Sequence, residues 1–143
     1  MLTLKQSYQM KEMKLMNYKE QAGMKKKSFE LNYNGGIIWC EHLDSMGNME
    51  AEVIKKFAED CKIFCRPSVS LYMIINLDET TVTEQIVACI VNGIIECKKK
   101  FMKIAFVGVA RKEQKQFEKI MKESGIMISF LKDYEKAKEW VLK

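Results

Sequence analysis

The run Val69–Leu77 (VSLYMIINL) contains no charged residue and is nearly all apolar. A strand of that composition has no solvent face, so it belongs in the middle of a sheet covered on both sides. Lys103–Val109 (KIAFVGV) repeats the signal. The segments around these runs carry a different period. Val53, Ile54, Phe57, Cys61, Phe64 and Cys65 precede the first run, and Ile86, Val87, Ile90, Val91, Ile94 and Ile95 follow it, spaced as on one face of a helix. Buried strands alternating with amphipathic helices define an α/β chain with a mostly parallel sheet.

Local signals set the remaining elements. Phe29–Asn32 and Ile37–Leu43 read as strands around Asn34-Gly35, a dipeptide suited to the positive φ of a tight hairpin. Gly47 and Asn48 open the first helix, and Pro67, the only proline, ends it. A second helix spans Val82 to Lys99, with Thr81-x-x-Glu84 as its capping box. The third covers Arg111–Ser124, buries Phe117, Ile120 and Met121, and stops at Gly125. Ile126–Leu131 is the last strand. Asp133 caps a final helix that buries Tyr134, Ala137, Trp140 and Val141. The expected order is β-β-α-β-α-β-α-β-α, a mixed, mostly parallel sheet packed by helices, in one domain over residues 28–143.

Composition narrows the possible functions. The chain has 143 residues and a net charge of +5, all of it carried by the lysine-rich residues 1–28. Residues 29–143 hold 17 basic and 17 acidic side chains, and the only arginines are Arg66 and Arg111. A neutral body with so few bidentate donors does not suit nucleic acid. No apolar stretch approaches the roughly 20 residues of a membrane span. Residues 1–27 form a basic lead, read as a poorly ordered segment or as an upstream extension with Met24 as the start; the alternative is a basic amphipathic helix that docks on anionic lipid or on a partner. The five cysteines (40, 61, 65, 89 and 97) fall mostly on apolar stripes, the pattern of reduced thiols, which points to the cytoplasm.

The element order, the segment MIINLDETTVTEQIVACIV, the strand KIAFVGV after a lysine-rich helix end, and the terminal KDYEKAKEWV together resemble the SpoIIAA-like, STAS-type family. The last two pieces are closest to its STAS/Sec14-like subgroup. The resemblance covers Phe29–Lys143 and implies a non-enzymatic regulatory or protein-binding module, with lipid carriage as the variant implied by Sec14-type relatives. Regulators of the family carry a phosphorylatable Asp-Ser-Ser-Gly motif after the third strand. Here that junction reads Asp78-Glu79-Thr80-Thr81-Val82-Thr83-Glu84, without serine or glycine, so the phosphoswitch does not carry over.

Candidate binding residues are those that this fold places beyond the carboxyl ends of its strands: Asp78, Thr80, Thr81 and Thr83 at one junction, Gly108 and Arg111 at the next. Arg111 would meet a small anion or a partner carboxylate. Cys40-Glu41-His42 invites a metal or nucleophile reading, but on a strand Cys40 and His42 share a face and Glu41 opposes them. The single His offers no second imidazole, and the cysteines lack zinc-knuckle spacing. These residues are read as core packing. No acidic pair suited to general acid–base chemistry stands out, so no catalytic residue, metal or cofactor is assigned. The expectation is a cytoplasmic, non-enzymatic module that binds a protein, or alternatively a lipid or other small apolar anion held between helices and sheet.

Overall fold

Two residues with left-handed backbone, Asn34 (φ 45°) and Gly35 (φ 82°), turn the chain between its first two strands in this computed structural model, which describes residues 26–66, 71–98 and 100–143. The elements are β1 (Phe29–Tyr33), β2 (Gly36–His42), α1 (Glu50–Phe64), β3 (Tyr72–Asn76), α2 (Glu84–Glu96), β4 (Lys103–Val107), α3 (Arg111–Met121), β5 (Met127–Leu131) and α4 (Tyr134–Val141). The expected order of elements is therefore found, and the protein is α/β. The lead expected over residues 1–27 lies outside the described residues as far as residue 25.

The five strands lie in sequence order, β1-β2-β3-β4-β5. The hairpin β1–β2 is antiparallel and every later pair is parallel. Crossovers of one hand that always step in the same direction leave their helices on one face. Accordingly α1, α2 and α3 share a core with Trp39, Met73, Ile75, Ile104 and Phe106. The opposite face carries Ile38, Cys40, Ile74, Ala105 and Val107, covered by Ala137 and Val141 of α4. This is why Met73, Ile74 and Ile75 are all fully buried and why the central run had to be apolar throughout.

The space between α1–α3 and the sheet is filled by aromatic rings. Phe64 lies 5.9 Å from Trp39, 5.7 Å from Phe57 and 5.8 Å from Phe101, centroid to centroid. Phe106 stands 4.4 Å from Phe117 and 5.3 Å from Phe130. Such pairs contribute beyond the area they bury. Helices α1 and α2 meet at Gly93, where an added Cβ would lie 2.7 Å from the Phe57 ring and 2.8 Å from Cys61 Sγ.

Three local expectations are corrected. The cap of α2 is Thr83, whose hydroxyl accepts from the Ile86 amide at 3.2 Å; Thr81 sits two residues too early for that role. Ile95 and Ile120 are exposed, because the buried stripe of α2 ends at Ile94 and only Phe117 and Met121 of α3 turn fully into the core. Cys65 and Cys97 are joined in a disulfide, with Cα atoms 5.2 Å apart. Helices α1 and α2 follow parallel neighbouring strands and end at the same level, so their C-cap residues become neighbours despite a sequence separation of 32.

A cross-link closing a loop of that length stabilises by about 4 kcal/mol through the unfolded chain. Reduction, or the Cys65→Ser/Cys97→Ser variant, should therefore lower the unfolding free energy measured in urea by an amount of that order. Coincident unfolding curves for the oxidised and reduced protein would contradict the cross-link.

Candidate functional site

The loops that leave the carboxyl ends of β2, β3 and β4 form a crown laced together by backbone hydrogen bonds. The Leu43 amide donates to Asn76 O at 2.9 Å, Ser45 N to Asp78 O at 2.6 Å, Gly47 N to Glu79 O at 3.0 Å and Thr81 N to Gly47 O at 2.8 Å. These bonds continue the β2–β3 pairing past the sheet and end in a parallel bridge between Gly47 and Thr80. Left-handed backbone at Ser45 (φ 57°) and Glu79 (φ 55°) shows how tightly the loops are determined, since such conformations are uncommon for residues with a side chain.

Thr80 locks the arrangement. Its buried hydroxyl donates to Leu43 O at 2.6 Å and accepts from the Met46 amide at 3.0 Å. Gly108 (φ 77°) closes the third side, because a Cβ there would stand 2.5 Å from Asp78 N and Oδ1 and 2.6 Å from its Cα. Between these loops opens a cleft of about 200 Å³ lined by Thr80, Thr81, Val82, Gly108, Ala110 and Glu113.

The candidate residues thus separate by role. Thr80, Thr81 and Gly108 meet at the cleft, and Asp78 stands exposed against Gly108. Thr83 serves the fold, capping α2 and donating from its hydroxyl to Glu50 Oε1 at 2.8 Å. Arg111 opens α3 on the exposed surface and is not among the residues lining the cleft. Of the three threonines only Thr81 is exposed; its hydroxyl donates to Asn48 Oδ1 at 2.5 Å. A modification of this junction would have to fall there.

A second polar cluster lies beside the crown, and the sequence reading missed it. Lys56 Nζ donates to Ser28 Oγ at 2.9 Å, to His42 O at 2.6 Å and to Asp60 Oδ2 at 3.1 Å. Ser28 Oγ donates to Asp60 Oδ2 and accepts from the His42 amide, both at 2.9 Å. With three acceptors engaged, the ammonium acts as a clamp holding the start of β1 and the end of β2 to α1. Asp44 accepts from Lys26 and lies 3.0 Å from His42 Nδ1. Burial alone would raise the Asp44 acid, but His42 and Lys26 outweigh it and hold the group below the usual carboxylate range. The His42 ring is stacked between Phe29 and Tyr134, at 5.8 and 5.6 Å.

Glu41 does face away from Cys40 and His42, into the apolar row Ile75–Phe106–Phe130. It is only 1% exposed and accepts from Trp39 Nε1 at 2.8 Å, while its Oε2 has no partner within hydrogen-bonding distance. Burial and the neighbouring Asp60 push its acid well above the usual range. Asp60 goes the other way: burial opposes its ionisation, but Glu41, Lys56 and Ser28 together keep it low. The pair therefore joins a carboxyl biased toward its neutral form to one biased toward its charged form, and Glu41 is buried away from solvent. Periodicity placed Glu41 on a strand and Asp60 on a helix, and only the β2–α1 packing brings them together.

The free thiols are poor nucleophiles. Burial, then Glu41, pushes Cys61 up to about 12, and burial raises Cys40 and Cys89. Among the described residues no three His, Cys, Asp or Glu side chains are grouped to hold a metal ion. No helix of the described residues is long and apolar enough to cross a membrane. Compared with protein families, curated proteins and solved structures, the chain matches none.

Glu41 also sets a pH dependence. Burial raises its folded acid, whereas in the unfolded chain it ionises near pH ~4.3, so its favourable contribution is complete below about that pH and drains away as pH rises toward the raised value. Glu41→Gln keeps an acceptor for Trp39 and removes that loss. Denaturation of both proteins should show the variant gaining on the wild type as pH rises above about 4.3. A difference that does not change with pH would contradict the raised acid.

Proposed function

We propose that this chain is a non-enzymatic regulatory module of the SpoIIAA-like, STAS type, which binds another protein through the crown formed by the loops at 43–49, 77–84 and 108–113. The observation that carries the reading is the pre-ordered crown itself. Thr80, Gly108 and the inter-loop backbone bonds fix it before any partner arrives, so little ordering entropy is lost on docking. Its exposed groups are polar and charged: Asp78, Glu79, Thr81 and Glu84 on the second loop, which is acidic, and Arg111 and Lys112 on the third. A partner offering basic and hydrogen-bonding side chains is the chemical complement of the second loop.

The order β-β-α-β-α-β-α-β-α supports the family reading. The absence of serine at the junction separates this chain from the phosphorylated regulators, and Thr81 is the single threonine there whose exposure would admit a kinase. The alternative, an apolar ligand held between helices and sheet, has to contend with the aromatic rings that fill that space. The expectation of a cytoplasmic address rests on reduced thiols, and the Cys65–Cys97 disulfide removes that ground.

A photoreactive side chain at Thr81 should form one discrete protein adduct in the source cell, and the same group at exposed Lys115 on α3 should not. Adding Gly108→Ala, which forces the crown apart at Asp78, should abolish the Thr81 adduct. Equal adducts at both positions, or a small apolar molecule retained by the purified protein in native mass spectrometry, would overturn the reading.

A further inference from the structure

We propose that the end of the domain opposite the crown, where α1, α2 and α3 finish, docks on an anionic lipid bilayer. Among the described residues seven large apolar side chains are exposed, and six of them lie at this end: Ile63, Leu71, Ile95, Met102, Ile120 and Met127, each between 38% and 58% exposed. The seventh, Phe29, is at the other end, beside His42. Scattered apolar residues need no explanation, but this grouping is not scattered.

The fold explains the grouping. Ile63, Ile95 and Ile120 occupy the last turns of the three helices that share a face, so they finish at one level. Leu71 and Met102 immediately precede β3 and β4, and Met127 opens β5. The Met102 amide donates to Leu71 O at 2.8 Å and the Met127 amide to Met102 O at 3.1 Å, which sets those three side by side. The disulfide between Cys65 and Cys97 holds the ends of α1 and α2 together beneath this platform.

The charge around the platform is mainly basic. Lys62 and Arg66 lie at the end of α1, Lys98 and Lys100 follow α2, and Lys119 and Lys122 lie at the end of α3, all exposed. Glu96, Glu118 and Glu123 are the acidic groups in the same turns. Lysine at a helix C-terminus is favourable in itself, which accounts for the charges. It does not account for isoleucine at the exposed positions between them. Apolar tips among long cationic side chains are what an anionic interface selects: the tips enter the acyl boundary while the ammonium groups reach back to the headgroups.

A bilayer fits this surface better than an acidic peptide does. The apolar tips are spread over three helix ends and three strand starts, a platform and not a single groove. A cleft of about 390 Å³ between the ends of α2 and α3 is lined by Ile94, Ile95, Ile120 and Ile126 together with Lys100 and Glu123, and is large enough to take the end of an acyl chain.

The test is co-sedimentation of the full chain with vesicles of phosphatidylcholine alone and with vesicles containing about 30% phosphatidylglycerol, at low salt and at about 0.5 M salt. Binding is expected only to the anionic vesicles and should weaken with salt. Ile95→Asp/Met102→Asp and Lys98→Glu/Lys119→Glu should each weaken it ~10-fold or more with an unchanged circular-dichroism spectrum. The lead variant Lys5→Gln/Lys11→Gln/Lys14→Gln should bind as the wild type does. The proposal is overturned by failure to bind anionic vesicles, by binding that follows the lead and ignores the platform variants, or by a platform that binds an acidic amphipathic peptide and no vesicle.

Discussion

The order of the strands in the sheet governs everything else in this molecule. Because β1 to β5 lie side by side in sequence order, each crossover returns in the same direction, and α1, α2 and α3 are forced onto one face. That leaves the other face to α4, whose short apolar stripe covers Ile38, Cys40, Ile74, Ala105 and Val107. It also divides the molecule into two unlike ends. One collects the loops that leave the strands, and the other collects the ends of the helices.

The loop end is rigid because its polar groups are satisfied within it. Thr80 exchanges hydrogen bonds with the backbone of the neighbouring loop, and Gly108 lets the third loop approach closer than any other residue would allow. Beside it, Lys56, Ser28 and Asp60 clamp the β1–β2 hairpin to the first helix. Glu41 is the exception, a carboxyl inside an apolar row whose acid burial and the neighbouring Asp60 push up. The helix end has the opposite character, with apolar tips exposed among lysines.

The fold was legible wherever a residue's environment follows from its own period. The uncharged run ending at Leu77 announced a central strand, Asn34-Gly35 announced the hairpin, and Asp133 announced the last helix, whose Lys136 amide it caps at 2.8 Å. The cap of α2 was misplaced by two residues because threonine stands at both 81 and 83, and only backbone geometry chooses between them. Half of the candidate site was legible for the same reason: Thr80, Thr81 and Gly108 follow strands whose carboxyl ends must cluster, whereas Arg111 is not among the residues lining the cleft they form. What the sequence could not show are pairings made across elements. Glu41 with Asp60 and Cys65 with Cys97 each join residues on different elements, and no spacing rule links them. The exposure of Ile120 was hidden too, since a helix period alone does not say how wide the buried stripe is.

The central claim is that the crown is one preformed unit held by Thr80, and amide hydrogen exchange tests it most directly. The amides of Ser45, Gly47 and Thr81 should exchange nearly as slowly as those of Ile74 and Ile75 in the central strand. Thr80→Val should accelerate the three crown amides by ~10- to 100-fold and leave Ile74 unchanged. Fast exchange at Ser45, Gly47 and Thr81 in the unaltered protein would contradict the account, because the loops would then be ordered only by whatever binds them.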